Sequence, residues 1–111
     1  MPDKELLEAA ARAAGIEIFW SDSYEDPLTE PYVPGPEMGR QDTWNPLTDD
    51  GDALRLAVKL QTPVFISMTK ARCVWGRLHF EEACDEPITS DACNAARRAI
   101  VRAAAEIGKV M

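Results

Sequence analysis

Apolar residues recur at helical spacing near the start of the chain, at Leu6, Leu7, Ala10 and Ala14. Positions three and four apart share one side of a helix. Asp3 is placed to cap that helix, Glu5 sits where the helix dipole favours an acid, and Gly15 is a natural stop. The pattern then turns to alternation. In "IEIFW", Ile16, Ile18 and Trp20 share one face and Glu17 and Phe19 the other, which predicts a strand.

Periodicity disappears from Ser21 to about Thr48, where five of the eight prolines fall. Proline fixes φ and supplies no backbone donor, so a loop is expected there rather than helix or central strand. Tyr24, Leu28, Tyr32, Val33, Met38 and Trp44 are scattered through it, more apolar surface than a solvated linker carries. An ordered loop laid over the domain is the expectation.

A second helix begins at Asp49 or Asp50 and runs to Leu60 or Gln61, with Ala53, Leu54, Ala57, Val58 and Leu60 as its apolar stripe. Thr62-Pro63 ends it, because the residue before proline avoids the helical region. "VFISMT" (64–69) and "RCVWGRLHFE" (72–81) read as two strands of an antiparallel hairpin, separated by "KA" or a slightly longer turn. On the second strand Val74, Leu78 and Phe80 share one face, and Cys73, Trp75 and His79 the other. An acidic loop, "EACDEP", follows. Thr89 or Ser90 caps the last helix, whose buried side is Cys93, Ala96, Ile100, Ala103 and Ile107. Its alanines allow close approach to a sheet. The fold class is therefore α+β: a small, about three-stranded antiparallel sheet flanked by helices, in the order α-β-loop-α-β-β-α. The 111 residues suit one domain spanning 1–111.

Charge adds what periodicity does not show. The net charge is −7, and the 21–50 window carries all of it: Asp22, Glu25, Asp26, Glu30, Glu37, Asp42, Asp49 and Asp50 against Arg40. Phosphate binding needs a basic surface, so direct nucleic-acid binding is not expected. A partner of the acidic stretch should itself be basic. No apolar run approaches the ~20 residues of a membrane span, and the first residues lack the basic start and apolar core of a signal peptide. A cytosolic location follows as the expectation. Three cysteines, Cys73, Cys84 and Cys93, are an odd number at no familiar spacing, so reduced thiols are expected.

The acids of "WNPLTDDGDALRLAVKL" (44–60) raise the question of a metal. A calcium loop ends in a bidentate glutamate at its twelfth position; counted from Asp49, that position is Leu60. Helix initiation explains the residues better: Thr48 or Asp49 caps, Asp50 and Asp52 favour the dipole, and Asn45-Pro46 makes the preceding turn. C-x5-H-x4-C-x8-C, through His79, lacks the short knuckle of a structural zinc site. Ser21, Ser23, Ser67 and Ser90 lie in no nucleophile elbow, and Gly35 and Gly39 open no phosphate loop. No cofactor is expected. Arg97, Arg98 and Arg102 read as a solvated face, pairing with Glu106; the rival is self-association with the acidic loop of a second copy.

"WNPLTDDGDALRLAVKL", the strand pair after it, the closing "ARRAIVRAAAEIGKVM" and the opening "KELLEAAARAAGI" together resemble a set of small phage and prophage proteins. They are similar to the phage α-β-α (ABA) sandwich domain and, more distantly, to NinX-like proteins. Trp44, Asn45, Pro46, Leu47 and Asp52 match the most recognisable segment. The resemblance implies a sheet flanked by helices and a phage or prophage origin, and it carries over no catalytic residues. The expected function is an accessory protein in the host bacterial cytosol that binds another protein, with Asp22, Glu25, Asp26, Glu30, Asp42, Trp44, Asp49 and Asp50 as the binding surface. One version inhibits a bacterial defence system by occupying a basic groove. The competing expectations are a small enzyme with Tyr24, Asp42, Trp44 and His79 lining a pocket under the 21–48 loop, and a structural component that forms a homo-oligomer.

Overall fold

A computed structural model describes residues 2–20, 32–34, 41–77 and 80–111, with backbone alone at 32–34, 41, 42, 77, 80 and 81. The elements are α1 (Asp3–Ala14), β1 (Tyr32–Pro34), β2 (Gln41–Thr43), α2 (Asp50–Leu60), β3 (Val64–Ile66), β4 (Lys70–Arg77), β5 (Phe80–Pro87) and α3 (Ala92–Lys109). Strands β3, β4 and β5 form a three-stranded antiparallel sheet with β4 in the middle, and β1 and β2 form a separate antiparallel ribbon. The class is α+β, as the residue patterns predict.

Helix α3 is the middle layer. It packs on all three strands of the sheet and against both α1 and α2. That position explains its composition. Ala95, Ala99, Ile100, Val101, Ala103, Ala104, Ala105 and Gly108 are all buried, so the helix is covered over much of its circumference. The alanines do more than approach a sheet, because α1 brings Ala9, Ala10, Ala11 and Ala14 against them. A Cβ added at Gly108 would stand 1.9 Å from the Ala9 carbonyl oxygen. Only glycine fits this crossing. Burying small side chains also costs almost no rotamer entropy.

The helix ends follow local chemistry. Gly15 adopts φ +70 and closes α1 through its N–H to Ala11 and Arg12 carbonyls. Asp3 is the first helical residue rather than the cap; Pro2 occupies that position, where no side-chain bond forms. In α2 Asp49 is the cap, and its carboxylate accepts from Asp52 N. In α3 the cap is Asp91 itself, one residue later than expected, accepting from Cys93 N and Asn94 N. A carboxylate accepts both donors of the first turn better than a hydroxyl at 89 or 90.

The strands depart more from expectation. Residues Ile16–Trp20 are extended but supply none of the sheet's three strands; Phe19 forms an isolated bridge. The alternation is still real, since Ile16, Ile18 and Trp20 pack on the core while Phe19 is exposed. It reports which side is buried, not whether the backbone pairs. The loop expected at 21–48 contains the ribbon, with Tyr32↔Thr43, Val33↔Asp42 and Pro34↔Gln41 in register. Pro34 sits at the end of a two-stranded ribbon, where a missing donor costs little.

The first hairpin turns at Ser67–Thr69, not at Lys70-Ala71. Ser67 Oγ accepts from Thr69 N and Lys70 N and donates to the Lys70 carbonyl, satisfying the turn from within. The expected strand 72–81 is split between β4 and β5, which meet at Arg77↔Phe80. Gly76, just before that turn, has φ 121, a conformation open to glycine. The acidic "EACDEP" is strand β5. Its carboxylates tolerate a strand because bases oppose them: Arg72 Nε lies 2.6 Å from Asp85, and Arg102 Nη1 lies 2.6 Å from Glu86.

Register assigns each row to a face. Val64, Cys73 and Cys84 face α3, as do Ile66, Ala71 and Glu86; Phe65, Arg72 and Asp85 cross the opposite face.

The α1–α3 crossing is testable by urea denaturation. Gly108→Ala should lose about 1–3 kcal/mol through overpacking against the α1 backbone. Gly15→Ala, where a Cβ would meet nothing within 4 Å, should lose only the ~1–2 kcal/mol of a left-handed backbone. A Gly108→Ala chain as stable as wild type would argue against a close crossing.

Candidate protein-binding surface

The segment from Trp44 to Asp52 is a closed hydrogen-bonded unit. Asn45 Oδ1 accepts from Leu47 N at 3.1 Å across Pro46. The Asn45 carbonyl accepts from Thr48 N and Asp49 N, at 3.1 and 2.9 Å. Asp52, at the other end, reaches back: its Oδ2 accepts from Asn45 N at 3.0 Å and its Oδ1 from Arg55 at 2.7 Å. Asp49 accepts from Asp52 N at 2.8 Å. Each acid in the motif thus has a local task. Asn45 and Asp52 are buried, and Trp44 and Leu47 enter the core beside them.

Arg97 fastens this unit to α3. Its Nε donates to the Leu47 carbonyl at 2.9 Å, and its Nη1 binds the Asp50 carboxylate. The other arginines of α3 do the same elsewhere. Arg98 pairs with Asp3 of α1 at 3.0 Å, and Arg102 binds Glu86 and the Asp85 carbonyl of β5. The expected solvated basic face is therefore three ties from one helix to three elements. Lys109, not Arg102, pairs with Glu106. The hydrogen bond to Glu86 raises the Arg102 pKa further above its already high value. On the open sheet face, the Arg72 hydrogen bond holds the Asp85 carboxyl below its usual 3.8.

The proposed binding residues separate. Asp22, Glu25, Asp26 and Glu30 lie outside the described residues, as do Tyr24 and His79. Asp42 belongs to β2, opposite Val33. Trp44 is a correction: it is only 7% exposed and anchors the core, so its ring is not an exposed contact surface. Its place between the ribbon and the Asn45 turn explains this, since the apolar ring is what pins that turn down. Asp49 and Asp50 are exposed but engaged, with Arg55 and Arg97 respectively.

Cys73 and Cys84 face each other across β4 and β5 as free, buried thiols, while Cys93 is free and exposed. Burial raises the pKa of both buried thiols, opposed at Cys73 by a hydrogen bond with Thr62 and at Cys84 by Arg102. They are packing residues rather than nucleophiles. Among the described residues no three of His, Cys, Asp or Glu gather as metal ligands, and no buried side-chain polar atom lacks a partner. No described helix is long and apolar enough to cross a membrane.

Sequence reasoning missed an apolar face. Leu54 and Val58, read as part of the buried stripe of α2, are 64% and 67% exposed. On β3 and its turn, Phe65, Ile66 and Met68 are 59%, 61% and 97% exposed, Ile66 on the α2 side and Phe65 on the other face of the sheet. Between α2, β3 and the start of α3 lies a groove of about 380 Å³, walled by Ala53, Leu54, Val64, Ile66, Ala96 and Ile100. The available signal was width. Together with the buried Ala53, Leu56 and Ala57, these residues make the apolar arc of α2 broader than one contact can cover.

The motif's internal bonds predict graded losses in chemical denaturation. Asp52→Ala takes the acceptor from the buried Asn45 N–H and should cost about 1–3 kcal/mol. Arg97→Ala should cost about the same, because the Leu47 carbonyl loses its charged donor. Asp50→Ala, at the exposed end of that pair, should cost only ~0–1 kcal/mol. The Asp85 pair gives a pH signature. A carboxyl whose folded pKa is lowered stabilises above its unfolded value and loses that contribution as pH falls through the folded one. The stability gap between wild type and Asp85→Asn should thus persist near neutral pH and close as pH falls below the ordinary 3.8. Comparison with known protein families, with curated proteins and with solved structures finds no match to this chain.

Proposed function

We propose that the chain is an accessory protein of a phage or prophage that acts, without catalysis, by binding a protein with a basic surface. The observation that carries this reading is the distribution of charge along the sequence. In the folded body five arginines each have a carboxylate: Arg55 with Asp49 and Asp52, Arg72 with Asp85, Arg97 with Asp50, Arg98 with Asp3 and Arg102 with Glu86. With Asp49 and Asp50 so engaged, the 21–42 segment keeps six acids (Asp22, Glu25, Asp26, Glu30, Glu37 and Asp42) against Arg40, a net −5 of the chain's −7. Such a cluster steers a basic partner and repels nucleic acid. A groove built for nucleic acid in a host defence protein is a target of matching charge, and phage origin follows from the resemblance of the 44–60 segment.

The test is affinity capture from phage-infected bacterial lysate with wild type and with Asp22→Asn, Glu25→Gln, Asp26→Asn and Glu30→Gln combined. Wild type should retain a basic protein that elutes as salt rises. The neutralised variant should keep its melting temperature and lose that protein. Retention of the same protein by both would remove the acidic segment from the mechanism.

A further inference from the structure

We propose that β3 is the interface of a homodimer, pairing antiparallel with β3 of a second copy to make a continuous six-stranded sheet. This is separate from the acidic segment and does not depend on its partner.

Backbone parity sets the geometry. The Pro63 carbonyl accepts from Val74 N and Ser67 N donates to the Lys70 carbonyl, so both residues point toward β4. Antiparallel hydrogen bonding alternates along a strand. Phe65 therefore also points its N–H and C=O toward β4, while Val64 and Ile66 turn theirs to the open edge. Among the described residues no strand pairs with that edge. A two-fold axis through Phe65 matches Val64 of one copy with Ile66 of the other, in both directions. All the outward donors and acceptors of β3 are then used, and the two Phe65 rings meet as a close, non-hydrogen-bonded pair.

The side chains agree with that axis. It runs perpendicular to the sheet, so both helix layers stay on one side. Leu54 lines the groove with Val64 and Ile66, so the α2 faces of the two copies confront each other across the join. Leu54, Val58, Phe65, Ile66 and Met68, each more than half exposed, offer on the order of 600 Å² per copy, so a pair that covers most of it reaches the ~1,000 Å² expected of a specific interface. The nearby charges cost little to approach, because Arg55, Arg72 and Arg97 are already neutralised by Asp52, Asp85 and Asp50. Edge strands of monomers are guarded by brevity, charge, proline or a bulge; β3 is short, three residues, but "VFI" carries no charge.

Sedimentation equilibrium of the full chain tests this, alongside hydrogen exchange at several protein concentrations. Wild type should give twice the 12.3 kDa chain mass, with the Val64 and Ile66 amides becoming more protected as concentration rises. Phe65→Lys and Leu54→Glu, both at exposed positions, should keep the wild-type circular dichroism and raise the dissociation constant at least ~10-fold, as truncating a central contact does. Leu54→Glu, on the helix, keeps the test intact where a strand variant fails to fold. A wild-type chain that stays monomeric overturns the proposal. So does a dimer indifferent to both variants, or amide protection that does not change with concentration, which would place another part of the same chain on the edge.

Discussion

The structure depends on how closely α1 and α3 approach. Gly108 admits the Ala9 carbonyl where any side chain would collide, and the alanines around it let two backbones pack without large residues between them. Dispersion over many small contacts replaces the few large side chains of a conventional core. Because α3 is thereby fixed against α1, its other sides become a reference surface for the sheet and for α2. The arginines on it then act as struts of defined length. Arg97, Arg98 and Arg102 each reach a different element, and each finds a carboxylate or carbonyl already held in place.

This economy separates two kinds of negative charge. Several acids of the body serve caps, strand pairs and struts. Asp49, Asp52 and Asp91 hold helix starts, while Asp85 and Glu86 make an acidic stretch compatible with a strand. The acids of 21–42 answer to one arginine in their own stretch of sequence. Function is therefore sought in that segment and in the apolar face of α2 and β3, rather than in a pocket among residues whose valences are met.

How much of this was legible in the sequence depended on the range of the interaction. Helices announced themselves through periodicity and caps, and Asp49 with Asp50 and Asp52 could be read as a helix start because those bonds lie within one turn. Strand pairing could not be read so well. Ile16, Ile18 and Trp20 alternate and are half-buried, yet lie outside the sheet, because alternation needs only one covered side. The acids of β5 suggested a loop because the bases that neutralise them, Arg72 and Arg102, are 13 and 16 residues away in sequence. Trp44 looked like a surface aromatic because nothing local shows that Asn45 and Asp52 fold the chain over it. The exposure of Leu54 and Val58 was hidden for the same reason: an apolar stripe states a preference, not what lies opposite.

One consequence of the Asn45–Asp52 clasp concerns the length of the segment before it. In sequence the acidic segment lies between Trp20, which packs on the core, and the clasped turn beside Trp44. With both flanks pinned, the entropy of closing the span changes only slowly with its length, about 0.6 kcal/mol per doubling. A change in the number of residues between those flanks therefore costs little in closing the span.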